Sequence, residues 1–358
     1  MKTSTLLTSL LTITATSAAT VPVRSPPTRV RDSQHRLVLL HTLAPVASVS
    51  KTSSNLRLAA AGAAAASTDE TPSTKGGAIL TTNQRITTAE TIFRVPSARV
   101  PTHGPTGGNP TLTYAASFWL GIDSTGSSSR SSSSSTDDET INCGASLRVG
   151  VDTFWDLWAG GATTPVAWYQ FAPGQPYASG LEGFSVAEGD VVRVRIEVGP
   201  VSSSPSDDAK RGVVVENQEY AIVAENFGNV TCSDDETAAL LRSKRGLEKL
   251  SPVVSVRKVL PAPAQGQPQL CGREVAWMVE DFPLAGMPYI PLPLANFTSV
   301  EFAQAKVTLE DGTAKAVEKD GEGVSVVDIN MEEQGGRLTK CEVLGSGRVR
   351  CDRVVGDE

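Results

Sequence analysis

Beyond residue 77 the chain is a succession of short β-rich runs, many of them alternating apolar and polar side chains, separated by clusters of Gly, Pro, Asn and Ser. The runs cover residues 77–81, 86–95, 115–122, 146–151, 166–171, 191–198, 212–216, 220–223, 274–280, 300–307, 324–329, 338–343 and 348–354. Alternation of this kind, bounded by turn residues, is how a strand with one face on a core reads. Short strands at this spacing point to an all-β sandwich. Helical signals are scarce, and only residues 235–250 have the charge and Ala/Leu content for a helix of useful length.

Ahead of these runs, Lys2 is followed by an apolar, Thr/Ser-rich stretch over residues 6–13 and then by Ser17, Ala18 and Ala19. That is the order of a secretory signal peptide, with cleavage expected near Ala19. The stretch is too short and too polar to span a bilayer, and no later one is long and apolar enough, so an exported protein with no membrane partner is expected. Residues 20–74 are rich in Ala, Ser, Thr and Pro with scattered arginines, and 58–67 is of low complexity. Such a composition cannot bury enough apolar surface to offset its ordering entropy. It reads as a disordered basic pro-segment, with a plain linker as the alternative.

The charge balance supports that division. Of 32 Lys+Arg, 8 lie at or before Lys75, and of 39 Asp+Glu only 3 do, which leaves 24 basic against 36 acidic groups beyond it. An acidic remainder with no basic patch interleaved with aromatics argues against a nucleic-acid partner. Residues 75–358 have the length of one large all-β domain, with inserted loops near 124–142 and 230–268. The first loop is almost all Ser and Gly over 124–136. The second holds Lys244-Arg245, a processing site or a solvated helical face.

Within residues 271–282 the alternation places Ala276, Met278 and Glu280 on one face of a half-buried strand and Trp277, Val279 and Asp281 on the other. A carboxylate closing an apolar row is desolvated, so its pKa rises and it can hold or release a proton at mildly acidic pH. The alternative is a glutamate facing solvent at a strand end.

Five cysteines in an exported chain imply disulfides with one thiol left over. Cys341 and Cys351 flank the turn signal Leu344-Gly345-Ser346-Gly347, which suits a bridge tying a hairpin. No CxxC or HxxH spacing occurs and His103 is the only histidine beyond the leader, so neither a metal nor a cofactor is expected. Asn229-Val230-Thr231 and Asn296-Phe297-Thr298 are N-glycosylation sequons.

Seven blocks, taken in order, resemble the fungal glutamic peptidases, the eqolisins. They are Gly76-Gly77-Ala78-Ile79-Leu80, Phe93-Arg94-Val95-Pro96-Ser97-Ala98, Phe118-Trp119-Leu120-Gly121-Ile122-Asp123, Leu147-Arg148-Val149-Gly150-Val151-Asp152, Ala167-Trp168-Tyr169-Gln170-Phe171-Ala172-Pro173, Val186-Ala187-Glu188-Gly189-Asp190 and Trp277-Met278-Val279-Glu280-Asp281-Phe282. The resemblance implies a sandwich of two large antiparallel sheets, akin to the concanavalin-like jelly rolls. It also implies acid hydrolysis of peptide bonds by a glutamate that activates water and a glutamine that holds the water and the oxyanion.

On this resemblance the glutamate is Glu280, and Arg148 stands where the family has its glutamine. Trp119, Asp123 and Asp152 match active-cleft positions, and Gln170 replaces a cleft glutamate. Lys75 stands where a cleft tryptophan is expected, and Pro283 lies near a further family acid. The family's bridge implies Cys143 with Cys271, leaving Cys232 as the odd cysteine. A guanidinium stabilises an oxyanion at least as well as an amide does. It would also pair with Glu280 in the resting state, occupying the lone pair that must take the proton. Two functions therefore stand, a secreted monomeric acid endopeptidase acting on peptide or protein, and a pseudo-peptidase that binds peptide or glycan in the inherited cleft. A third is a carbohydrate-active jelly roll using Glu280 and another carboxylate as an acid pair.

Overall fold

A computed structural model describes residues 73–102, 112–125, 143–175, 178–199, 202–203, 216–217, 219–230, 250–261, 263, 267–284 and 287–354. The leader up to residue 72, the Ser/Gly run from 126, Cys232, Lys244-Arg245, His103 and nearly all of the 235–250 helix expectation lie outside these residues.

Among the described residues the large sheets are two, each of eight strands and antiparallel throughout, with short two-stranded pairs beside them. Across the first the order is Val324–Val327, Lys75–Thr81, Glu274–Glu280, Thr113–Ile122, Ser146–Asp156, Val166–Ala172 and Ser179–Gly180. Across the second it is Val254–Leu260, Tyr220–Asn226, Val191–Val198, Ile86–Arg94, Ser299–Leu309, Val349–Arg353 and Thr339–Val343. Two short strands pair off these paths, Gly161–Ala162 beside Ser146–Asp156 and Ala314–Ala316 beside Ser299–Leu309.

The alternation in the sequence works out as a core between the sheets. Phe118, Val275, Trp277 and Val279 meet Phe93, Ile196 and Phe302 in one cluster of buried side chains. The rings of Phe93 and Phe302 pack edge to face at 5.5 Å, as do Phe118 and Phe297 at 5.3 Å. Trp277 also donates its indole N–H to Glu90 O of the facing sheet, 3.3 Å away. A buried indole N–H that finds an acceptor avoids a desolvation cost, and here the acceptor joins one sheet to the other.

On the outer side of the second sheet Arg193 pairs with Glu225, and Arg257 with Glu197 at 2.8 Å. Such partly exposed pairs add at most ~1 kcal/mol each and chiefly keep that face solvated.

Two differences from the sequence reading concern boundaries. Val254–Leu260 lies inside the stretch taken for an inserted loop near 230–268, yet it is the edge strand of the second sheet. Its residues are mostly exposed, and Lys258, whose Nζ lies 5.8 Å from the Tyr169 ring centroid, interrupts the apolar row of Val254, Val256 and Leu260, so the strand lacks the unbroken alternation of a central one. The fold also begins before Lys75. Ser73 bridges to Asn330, and Thr74 O accepts the Asp281 N–H at 2.8 Å.

Candidate active site

The register of five neighbouring strands sets three rows of side chains across the face of the first sheet that turns away from the core. One row is Lys75, Glu280, Ser117 and Asp152. The next is Gly77, Met278, Trp119, Gly150 and Trp168, and the third is Ile79, Ala276, Gly121, Arg148 and Gln170. Glu280 thus closes an apolar row of Ala276 and Met278, which pack with Trp119, Trp168 and Ala178. The strand is more deeply set than its alternation suggested: Glu274–Glu280 is buried on both faces.

Trp119 is the floor of the site and is fully buried. Its neighbours across and along the strands are glycines: a Cβ at Gly150 would come within 2.6 Å of Trp119 Cβ and of Phe118 O, and one at Gly121 within 2.9 Å of the ring atom Cζ3. Arg148 reaches diagonally over this ring, its guanidinium carbon 4.6 Å from the centroid. Its Nη1 comes to 3.4 Å from Glu280 Oε2, and its Nη2 donates to Ser124 O at 2.8 Å. Lys75 Nζ stands 5.7 Å from the same ring centroid. The charge–quadrupole attraction of both cations to the indole adds to their attraction to Glu280.

Burial pushes Lys75 below the ordinary lysine range, and the neighbouring Arg148 works the same way while Glu280 opposes it. Burial likewise lowers Arg148, again against the pull of Glu280. A pair so far out of water holds because the partners face each other, and removing one leaves an uncompensated buried charge.

The other residues mapped to the cleft divide. Asp152 accepts the Trp168 indole N–H at 2.6 Å, which orients that ring in the site. Gln170 is fully buried as the register partner of Arg148. Asp123, expected in the substrate cleft, instead clamps the start of the Glu280 strand. Its carboxylate accepts N–H groups from Gly272 at 2.6 Å, Arg273 at 3.2 Å and Glu274 at 3.3 Å. With φ of 51° at Asp123 the backbone turns at the strand end, so the period of two that would aim it into the cleft no longer applies. Burial raises its pKa, and the three amides hold it down.

The same corner carries the bridge from Cys143 to Cys271, with Cα atoms 5.3 Å apart. The second bridge joins Cys341 and Cys351, which face each other across their hairpin. The sequons differ in setting. Asn229 is exposed, whereas Asn296 is half-buried and accepts the Thr298 N–H at 3.0 Å.

One residue escaped the sequence reading, and another was given a face but no role. Ser117 sits between Glu280 and Asp152 on the middle strand, and counting back two positions from Trp119 would have put it on this face. Asp281 follows Glu280 and is buried with Gln334 donating to Oδ2, while among the described residues its Oδ1 has no hydrogen-bond partner. Burial raises its pKa to about 8. The alternation put Asp281 on the face of Trp277 and Val279, and what it did not give was the partner Gln334, 53 residues away.

Chemically the face offers a carboxylate beside two cations on an aromatic floor, with a second carboxylate and a hydroxyl in its row. Among the described residues no group of three or more His, Cys, Asp or Glu side chains is placed to hold a metal ion.

The sequence model of the Peptidase A4 family matches residues 73–221 and 247–353. No curated protein sequence matches the chain. Among solved structures, a crystal structure of scytalido-glutamic peptidase with a transition state analog inhibitor is similar, at 21% identity, over 79% of this chain and 98% of that one, with a TM-score of 0.49. A structure of SCP-B, a member of the eqolisin family of peptidases in a complex with the tripeptide Ala-Ile-His, is similar at 21% identity over the same shares, with a TM-score of 0.46.

Proposed function

The chain belongs to the Peptidase A4 family, the glutamic peptidases, and from that premise we propose that it is a secreted acid endopeptidase in which Glu280 activates water for peptide-bond hydrolysis. The observation that carries this reading is the contact at 3.4 Å between Arg148 and Glu280. The two positions that the family resemblance marks as the catalytic pair converge across an intervening strand, on a tryptophan floor.

In the proposed reaction the Glu280 carboxylate takes a proton from water while the water oxygen bonds to the carbonyl carbon of the substrate. The carbonyl electron pair moves onto oxygen, where the Arg148 guanidinium stabilises it in place of the family's amide. Each Nη of Arg148 carries two N–H groups, so the guanidinium retains donors after serving Glu280 and Ser124. Glu280 then returns the proton to the departing amine as the C–N bond breaks. Secretion is supported by the signal-like N-terminus and by the two disulfides, which form in oxidising compartments.

The second reading, a pseudo-peptidase that binds peptide or glycan, draws on the same ion pair, which occupies Glu280 at rest. Incubating the secreted protein with casein at about pH 3 to 4, where a working carboxylate is still available, separates the two. Hydrolysis that is lost in Glu280→Gln supports the peptidase. A folded parent without hydrolysis favours the binding protein, and hydrolysis untouched by Glu280→Gln removes the mechanism altogether.

A further inference from the structure

We propose that Ser117 is a positioning residue of this reaction, its hydroxyl holding the attacking water between itself and Glu280. The proposal rests on the peptidase reading given above. It is carried by the placement of Ser117, register partner of Glu280 on one side and of Asp152 on the other. Paired residues point to the same face with Cβ atoms roughly 4.5–5.5 Å apart, which places Ser117 between Glu280 and Asp152 in the row.

Ser117 is fully buried, and among the described residues its Oγ has no hydrogen-bond partner. An unsatisfied buried hydroxyl costs about 1–3 kcal/mol, so one in a native sheet calls for a partner the chain does not supply. An ordered water is held by two to four polar groups, and the serine hydroxyl and the Glu280 carboxylate are two such groups on neighbouring strands of one row. In this chain Arg148 stands where the family has its glutamine, and a guanidinium is donor-only. It can stabilise an oxyanion but cannot accept a hydrogen bond from water. A hydroxyl does both. Ser117 therefore supplies the second hold on the water while Glu280 takes its proton, and Ser117 itself is unchanged at the end of the cycle.

Two measurements on the full-length secreted protein test this. Ser117→Ala removes one oxygen without adding volume, and it is expected to lower kcat by ~10²-fold with KM unchanged. A kcat equal to that of the parent overturns the proposal. A high-resolution crystal structure of the parent reads the water directly, whatever the activity. A water within hydrogen-bond reach of both Ser117 Oγ and the Glu280 carboxylate supports the assignment, and a dry hydroxyl ends it. Should the parent hydrolyse no peptide, the peptidase reading falls by itself, and the crystal structure still decides the water site.

Discussion

Arg148 engages Glu280 through Nη1 and Ser124 O through Nη2, and whether this pairing serves or obstructs the reaction is decided by exchange for the amide. With Arg148 as the oxyanion donor, Arg148→Gln changes the rate of acid hydrolysis by less than about tenfold, while Glu280→Gln abolishes it in both backgrounds. A rise of ~10²–10³ in Arg148→Gln would instead mark the guanidinium as a block. Glu280→Gln in the parent leaves Arg148 without its counter-charge, and breaking a buried pair costs about 3–5 kcal/mol. The loss of activity is therefore read beside a thermal melt, and in the double variant the stability should recover. Next along the strand, Asp281 makes a separate prediction. Its folded pKa of about 8 lies above its ordinary 3.8, so the native state binds the extra proton. Stability from this group is full below about pH 4 and is lost as pH rises toward 8, by about 1.4 kcal/mol per pH unit within that window. Asp281→Asn should flatten the fall in denaturation midpoint between pH 5 and 8, and a slope unchanged by the substitution refutes the assignment.

The elements that bring the pair together are anchored at one corner. Asp123 accepts three backbone N–H groups at the start of the Glu280 strand, and Cys271 is bridged to Cys143 beside it. The bridge spans 128 residues, for which loop-closure entropy gives a stabilisation of about 5 kcal/mol. The bridge between Cys341 and Cys351 spans 10, for which the same relation gives about 3 kcal/mol. Cys271→Ser should therefore lower the chemical denaturation midpoint more than Cys351→Ser does, and the reverse order would show that the corner does not organise the sheet. Much of this was legible in the residues. The alternation over residues 274–280 separates Trp277 and Val279, which face the core, from Met278 and Glu280, which face outward, because a strand has no other choice of faces. Asp123 was not legible, since a positive φ at a strand end breaks the parity on which such reasoning depends. Nor was the opposition of Lys75 to Glu280, or of Ser117 to both carboxylates. Pairing register joins residues far apart in the chain, and no local pattern encodes it.

At the scale of the molecule, the first strand ties the beginning of the folded domain to its site. Lys75 is the register partner of Glu280, Thr74 O accepts the Asp281 N–H, and Ser73 bridges to Asn330. The three residues just ahead of Gly76 thus touch the strand end that carries Glu280 and the segment that supplies Gln334. If the basic leader is removed on secretion, as its composition suggests, the cut has to fall before Ser73 for these contacts to survive. A cut after Lys75 would also delete one of the two cations beside Glu280. Terminal sequencing of active secreted protein is therefore expected to find the first residue at or shortly before Ser73. A chain engineered to begin at Ser73 should match the natural product in melting temperature and rate. A chain beginning at Gly76 loses the hydrogen bond to Asp281 and the Lys75 charge, so it should melt several degrees lower, at about 1–2 kcal/mol. Equal stability in the shorter chain would show that the domain begins later and that the contacts of residues 73–75 are incidental to it.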